Sequence, residues 1–202
     1  MIRTIQLVLA GAVIAASCAA GTAQTVRVHG TIEKVDGNVL SLKSSDGTEL
    51  KLTLTGNAMI VALVKASMAD IEEGTFLGSA AMPQPDGSQR ALEVHIFPEQ
   101  MRGTGEGHRP YAPVPNSTMT NGTASRAMVT GVDGMTIMVK YEGGEKKIVV
   151  PPNAPIVRYE IGGPGDLRPG ARFTVRAATR KPDGTLEANR INVGRDDVAP
   201  RQ

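Results

Sequence analysis

The sequence predicts an all-β protein: two tandem OB-like small β-barrels of about five strands each, joined by a Gly/Pro-rich loop. Three observations carry this. First, the chain repeats itself at a spacing of about 96 to 97 residues. Val35-Asp36-Gly37 returns as Val132-Asp133-Gly134, Asn57-Ala58 with Ile60-Val61 as Asn153-Ala154 with Ile156-Val157, and Pro85-Asp86-Gly87 as Pro182-Asp183-Gly184. Second, short apolar runs within each copy are punctuated by Asp-Gly pairs, which suit hairpin turns because Gly accepts positive φ. Third, a chain of 202 residues leaves about 70 for each unit, near the lower size for a self-sufficient core. Aromatic content is 3 % with no Trp, so those cores are built from Val, Ile, Leu, Met and Ala.

In the first copy, Val26 to Val35 reads as a long strand closed by Asp36-Gly37-Asn38. Val39 to Lys43 is a second strand, and Leu50-Lys51-Leu52-Thr53-Leu54 a third, with three leucines on one face. Ala58 to Ala69 is apolar without clean alternation and includes a candidate short helical turn. Thr75 to Met82 and Arg90 to Phe97 complete the copy. Three strands, an irregular crossover and two strands is the element order of an OB-like barrel; a generic five-stranded sandwich is the alternative. The second copy repeats the plan over Ala127–Gly131, Thr136–Tyr141, Glu145–Val150, a crossover to Gly170, Ala171–Arg180 and Leu186–Val193. The expected organisation is therefore 24–98 and 127–195 as the two units, 99–126 as the connecting loop and 196–202 as a disordered tail.

Residues 1–23 read as a secretory signal peptide. Arg3 supplies the positive start, Ile5 to Ala16 the apolar run, and Ser17 to Ala23 the small residues before cleavage, leaving Gln24 as the mature start. This predicts a periplasmic protein. The single cysteine, Cys18, lies in this segment. Ordinary cleavage discards it, and a lipid anchor on Cys18 is the alternative. No later run approaches 18 apolar residues, so no transmembrane span is expected.

The connecting segment carries Met101-Arg102-Gly103-Thr104-Gly105-Glu106-Gly107-His108-Arg109-Pro110 and then Ser117-Thr118-Met119-Thr120-Asn121-Gly122. A plain linker is low in complexity; this one spends Met, His, Arg, Tyr and Glu, and long structured loops often carry function. With the Val-Asp-Gly, Asp-Leu-x-x-Gly and Asp-Gly-x-x-x-Ala elements, the run resembles a group of proteobacterial exported proteins and a wider OB-like family of unknown function. Members are often labelled "metal ABC transporter permease". That label implies several spanning helices, which the composition after residue 23 does not supply. The resemblance brings no catalytic residues with it.

Candidate chemistry is sparse. The histidines are His29, His95 and His108. If first and last strands lie side by side, His29 and His95 approach each other on an outward face, and His108, Met101, Glu99 and Glu106 can close over them from the loop. Such a set suits Cu or Zn in a metal-handling role. Arg172, Arg176 and Arg180, spaced by four along one strand, predict a cationic stripe for an acidic partner, a lipid headgroup or a polysaccharide carboxylate. The loop residues Arg102, Glu106, Arg109 and Tyr111 are the other candidate partner contacts. Nucleic acid is not expected, because stacking aromatics over a basic groove are lacking. No nucleophile elbow, zincin helix or Walker loop occurs, so no enzyme and no resident cofactor is expected. The sequence points to an exported, non-enzymatic envelope protein that binds or scaffolds a protein or an anionic component.

Overall fold

The computed structural model describes residues 24–129, 134–196 and 198–200, and it is all-β. The signal-peptide and Cys18 readings, and Val132-Asp133 of the repeat, lie outside these residues. The first hairpin is β1 (Thr25–Asp36) and β2 (Val39–Ser44), and β3 runs from Glu49 to Ala66. A 3-10 turn at Met68–Asp70 leads to β4 (Phe76–Pro83) and β5 (Gln89–Ile96). The connecting segment holds a 3-10 turn at Glu99–Met101 and β6 (Gly107–Pro110). Then come β7 (Thr118–Val129), β8 (Met135–Tyr141), β9 (Gly144–Val150), β10 (Ile156–Ile161), a 3-10 turn at Pro164–Asp166, β11 (Arg172–Arg180) and β12 (Leu186–Gly194).

The two copies do not each close on themselves, as the tandem reading expects. One ring runs β1-β2-β3-β12-β11 and closes through β1–β11; the other runs β7-β8-β9-β5-β4 and closes through β4–β7. Each ring thus takes three strands from one copy and two from the other. The cause is the length of β3. Its 18 residues span roughly 60 Å at ~3.3 Å per residue, far beyond a small-barrel strand. Its first half pairs with β2, while Val61–Ala66 pairs with β10, which itself lies parallel to β5. The chain therefore leaves β3 beside the second ring and lays β4 and β5 there. The crossover expected to be irregular over Ala58–Ala69 is mostly this strand. Its apolar run lacks alternation because both faces of Val61–Leu63 are buried.

The exchange has a pseudo-two-fold centre. In the β3–β10 ladder Leu63 faces Tyr159, and these two are related by the same offset as Val61 and Val157. The equivalence of β1 and β7 is different from the one read in the sequence. Gly30 matches Gly122, an offset of 92, and both strands carry a register shift at matching places, Ile32/Lys34 and Ala124/Arg126. β7 ends at Val129 and β8 begins at Met135, against Asp36 and Val39 in the first copy. β7 also starts at Thr118, within the expected loop. Apart from Met119, its buried positions Thr120, Asn121, Gly122 and Ala124 are polar or small, so no apolar alternation announces it.

Each ring has its own core: Ile32, Leu40, Leu52, Phe173 and Ile191 in the first, and Leu77, Val94, Ile137, Val139 and Ile148 in the second. A third cluster of Val61, Leu63, Met101, Val157 and Tyr159, with Phe97 and Val198 packed on it, lies outside both rings on the shared sheet β12-β3-β10-β5. Ion pairs hold the crossovers to that sheet. Arg195 reaches Asp166 at 2.5 Å and Glu160 at 2.6 Å, and Arg158 pairs with Asp70. No helix among the described residues is long and apolar enough to cross a membrane.

Two measurements check this description. A Cβ at Gly30 would sit 2.0 Å from the Lys43 carbonyl oxygen, and one at Gly122 would sit 2.2 Å from that of Lys140. Gly30→Ala or Gly122→Ala is expected to cost about 3 kcal/mol, or roughly 10 °C in thermal unfolding by circular dichroism; a change within error at both sites contradicts the close approach. Second, Ser67 first of all holds the Asp70 carboxyl below its ordinary value, and Arg195 does the same for Asp166. Carboxyls depressed in the folded state add stability above their unfolded pKa, and it is lost as pH falls through the folded value. Urea midpoints are expected to drop below about pH 4, and the drop is expected to shrink in Asp166→Asn.

Candidate ligand-binding cleft

The alternation of β1, β2 and β11 sends Ile32, Leu40, Leu42, Phe173 and Val175 into the first ring and leaves polar residues outside. Thr31 pairs with Arg172 and with Lys43, and His29 pairs with Thr174. The outer face thus carries Lys43, Arg172 and His29 side by side, opposite the outer face of β4 and β5. A cleft of about 700 Å³ lies between the two. Its first wall is His29, Thr31, Lys43, Ser45 and Arg172; its second is Ala80 and Leu92; Tyr111, Pro113 and Val114 of the connecting segment and Pro200 of the tail form the rim. No carboxylate side chain is among the described residues lining it. One side of the cleft is therefore cationic and hydroxylated, and the other is apolar.

Beside it the shared sheet carries a buried polar row. His95 Nε2 donates to Glu93 Oε1, both groups are buried, and the imidazole stacks on Tyr159 with centroids 5.2 Å apart. Phe97 meets Tyr159 edge-on at 5.0 Å. Burial pushes the Tyr159 hydroxyl up to about 12. At the matching positions of β12 stand Arg190 and Asn192, joined at 3.2 Å. Glu93 also lines a second hollow of about 650 Å³, with Lys65 and Met68. Ala199 lines both hollows, so the tail segment Val198–Pro200 separates them, held by Thr174 Oγ1 donating to the Pro200 carbonyl at 3.2 Å.

The expected metal set does not assemble as drawn. The exchange puts β11 and β2 next to β1, and β4, β9 and β10 next to β5, so His29 and His95 are not on neighbouring strands. His29 Nε2 shares a hydrogen bond with Ser45 Oγ at 2.7 Å, and His108 Nδ1 shares one with Thr120 Oγ1 at 2.8 Å. Burial, and then Lys146, holds His108 below its ordinary pKa. His95 is buried, not outward on the surface, and Met101 belongs to the apolar cluster. Among the described residues no group of three or more His, Cys, Asp or Glu side chains is placed to hold a metal ion.

The arginine stripe is also broken. A bulge opposite Val26–Val28 makes both Val175 and Ala178 core residues, leaving Ala177 exposed where the alternation predicts it inside. Arg172 and Arg176 share the outer face, whereas Arg180 falls on the other parity and reaches the Gly184 carbonyl. In the connecting segment, Arg102 binds Glu99 at 2.6 Å and the Gly74 carbonyl at 3.1 Å, and lies over Phe76. Arg109 donates to the Gly105 carbonyl at 2.6 Å, and Glu106 accepts from the Glu142 amide at 3.2 Å. These three hold the loop; of the loop candidates, Tyr111 is the one in the cleft. Sequence reading missed Lys43, Thr31 and the stacking of His95, itself bound to Glu93, on Tyr159, because the residues that meet there come from both copies.

No family model matches this chain, and comparison with curated proteins and with solved structures found no match.

Removing Glu93 isolates a buried imidazole, so Glu93→Ala is expected to cost about 2 kcal/mol in urea unfolding. In ultraviolet titration, Tyr159→Phe is expected to remove a phenolate step near pH 12. An unchanged titration curve in the variant would refute the buried hydroxyl.

Proposed function

We propose that this protein is an exported, non-enzymatic binding module of the periplasm, built from OB-like barrels, whose inter-ring cleft takes an anionic ligand with an apolar body. The observation that carries this is the cleft itself: Lys43, Arg172 and His29 on one wall, Ala80 and Leu92 on the other, Val114 at the rim, and no carboxylate among the described residues that line it. Pockets of this size with a few convergent polar groups on an apolar lining are the usual form of a small-molecule site. The guanidinium of Arg172 and the ammonium of Lys43 fit a carboxylate or phosphate, and the Thr31 and Ser45 hydroxyls add donors. The OB-like reading is supported by five-stranded closure with a long crossover between the third and fourth strands of each copy. The exported, periplasmic reading rests on residues 1–23.

Isothermal titration with octanoate and octyl phosphate tests the proposal. Saturable binding is expected, weakened about tenfold by Arg172→Ala and by Lys43→Ala and reduced by added salt. Absence of saturable binding for both amphiphiles, or binding indifferent to Arg172→Glu, would sink it.

A further inference from the structure

The second ring has an element that the first lacks. β6 lies along the outer edge of β7: Gly107 pairs with Asn121, Arg109 with Met119, and the Tyr111 amide donates to the Ser117 carbonyl at 2.9 Å. By the Gly30–Gly122 equivalence, Ser117, Met119 and Asn121 correspond to Thr25, Arg27 and His29 of β1. There, β11 pairs with Thr25–Thr31 on one side, whereas β2 begins only at Gly30 on the other. Even-numbered backbone groups of β1 turn toward β11: the Gln24 carbonyl accepts from Arg180 at 3.0 Å and the Ile32 amide donates to Ala171 at 2.9 Å. The odd-numbered groups of Thr25 and Arg27, and the His29 amide, therefore face the opposite edge. The His29 carbonyl is taken by the Ser45 amide at 3.0 Å, and no strand among the described residues covers the rest.

We propose that this edge, from Thr25 to His29, is a strand-addition site that takes an extended acidic peptide segment of a partner protein, antiparallel to β1 as β6 is to β7. The argument is internal: the same backbone, with the same register shift and the same close-approach glycine, is capped by a strand in one ring and open in the other. Open edges of this kind recruit extended peptides, with the main chain supplying affinity and alternate side chains specificity. The charge follows from the outer face, where Arg27 is exposed on β1 and Arg172 and Arg176 are exposed on β11, the strand paired with it, so the guest lies along a cationic face. This deepens the binding-module reading and rests on it; the edge shares His29 with the cleft wall, but Thr25 and Arg27, which set it apart, do not line the cleft.

The test is an alternating Val–Glu octapeptide titrated into the whole mature chain, followed by fluorescence anisotropy and backbone amide exchange. Saturable binding with protection of the Arg27 and His29 amides is expected. Arg27→Pro removes an outward amide that the β11 ladder does not use and is expected to weaken binding at least about tenfold. Arg27→Glu, which keeps the edge, is expected to shift preference toward a Val–Lys octapeptide and covers the case in which the proline variant fails to fold. No saturable binding, unchanged affinity in both variants, or protection of Thr31, Lys43 and Arg172 that spares the Arg27 amide overturns the proposal. Octyl phosphate binding lost in Arg172→Ala while the Arg27 variants keep it separates failure of the edge from failure of the cleft.

Discussion

The first half of β3 pairs with β2, its second half with β12 and, from Val61, also with β10 outside its ring, and the strand runs through without a break from Glu49 to Ala66. A closed ring of five short strands has no room for such a length, so the end of β3 projects beyond its ring and needs another partner. It finds β10, its own repeat counterpart, around the Leu63–Tyr159 pair. Everything after that pairing follows from it. The chain emerges beside the second ring, β4 and β5 complete that ring, and β11 and β12 are left to complete the first. In the second copy the corresponding run is interrupted by Pro151, Pro152 and Pro155, which removes backbone donors and splits it into β9 and β10. One long strand and one broken strand thus satisfy the same geometry.

The exchange also creates a surface that neither copy has alone. The outer faces of both rings meet on the sheet β12-β3-β10-β5, where apolar residues from β3 and β10 sit between polar pairs from β5 and β12. The copies have diverged here: Glu93 and His95 in one correspond to Arg190 and Asn192 in the other. After its last strand each copy folds back over this face in the same manner. The Met101 amide donates to the Pro98 carbonyl and the Val198 amide to the Arg195 carbonyl, both at 2.9 Å, and both side chains pack on the shared cluster. The connecting segment then continues into β6 and covers its ring's edge. The tail segment passes between two hollows. The asymmetry of function proposed above grows from this asymmetry of covering.

Much of the strand content was legible because turn chemistry and alternation are local. Asp36-Gly37, Asp86-Gly87 and Asp183-Gly184 mark hairpins, and Leu50-Leu52-Leu54 marks a face, whatever the rest of the chain does. Boundaries failed where burial is not apolar. Thr120 and Asn121 are buried by the returning loop, with Asn121 Nδ2 donating to the Thr104 carbonyl at 2.9 Å, so the part of β7 before Ala127 looks like loop in the sequence. The Arg172-Arg176-Arg180 stripe failed because one bulge shifts every later residue by one position, and a bulge leaves no mark in an alternation count. The histidine triangle failed for a different reason: it assumed which strands are neighbours.

The sequence by itself determined the all-β class, the internal repeat and the positions of most turns, since the repeat is read directly and turns and alternation are set by contacts within a few residues. Only the tertiary structure decided which copy's strands close which ring, where the two outer faces meet, and that Lys43, Arg172 and Tyr111 share a cleft. Those outcomes depend on pairings between residues about a hundred positions apart. Two copies with nearly the same pattern offer equivalent partners for every such pairing, and the choice between closing at home and exchanging turns on how far one strand extends past its ring.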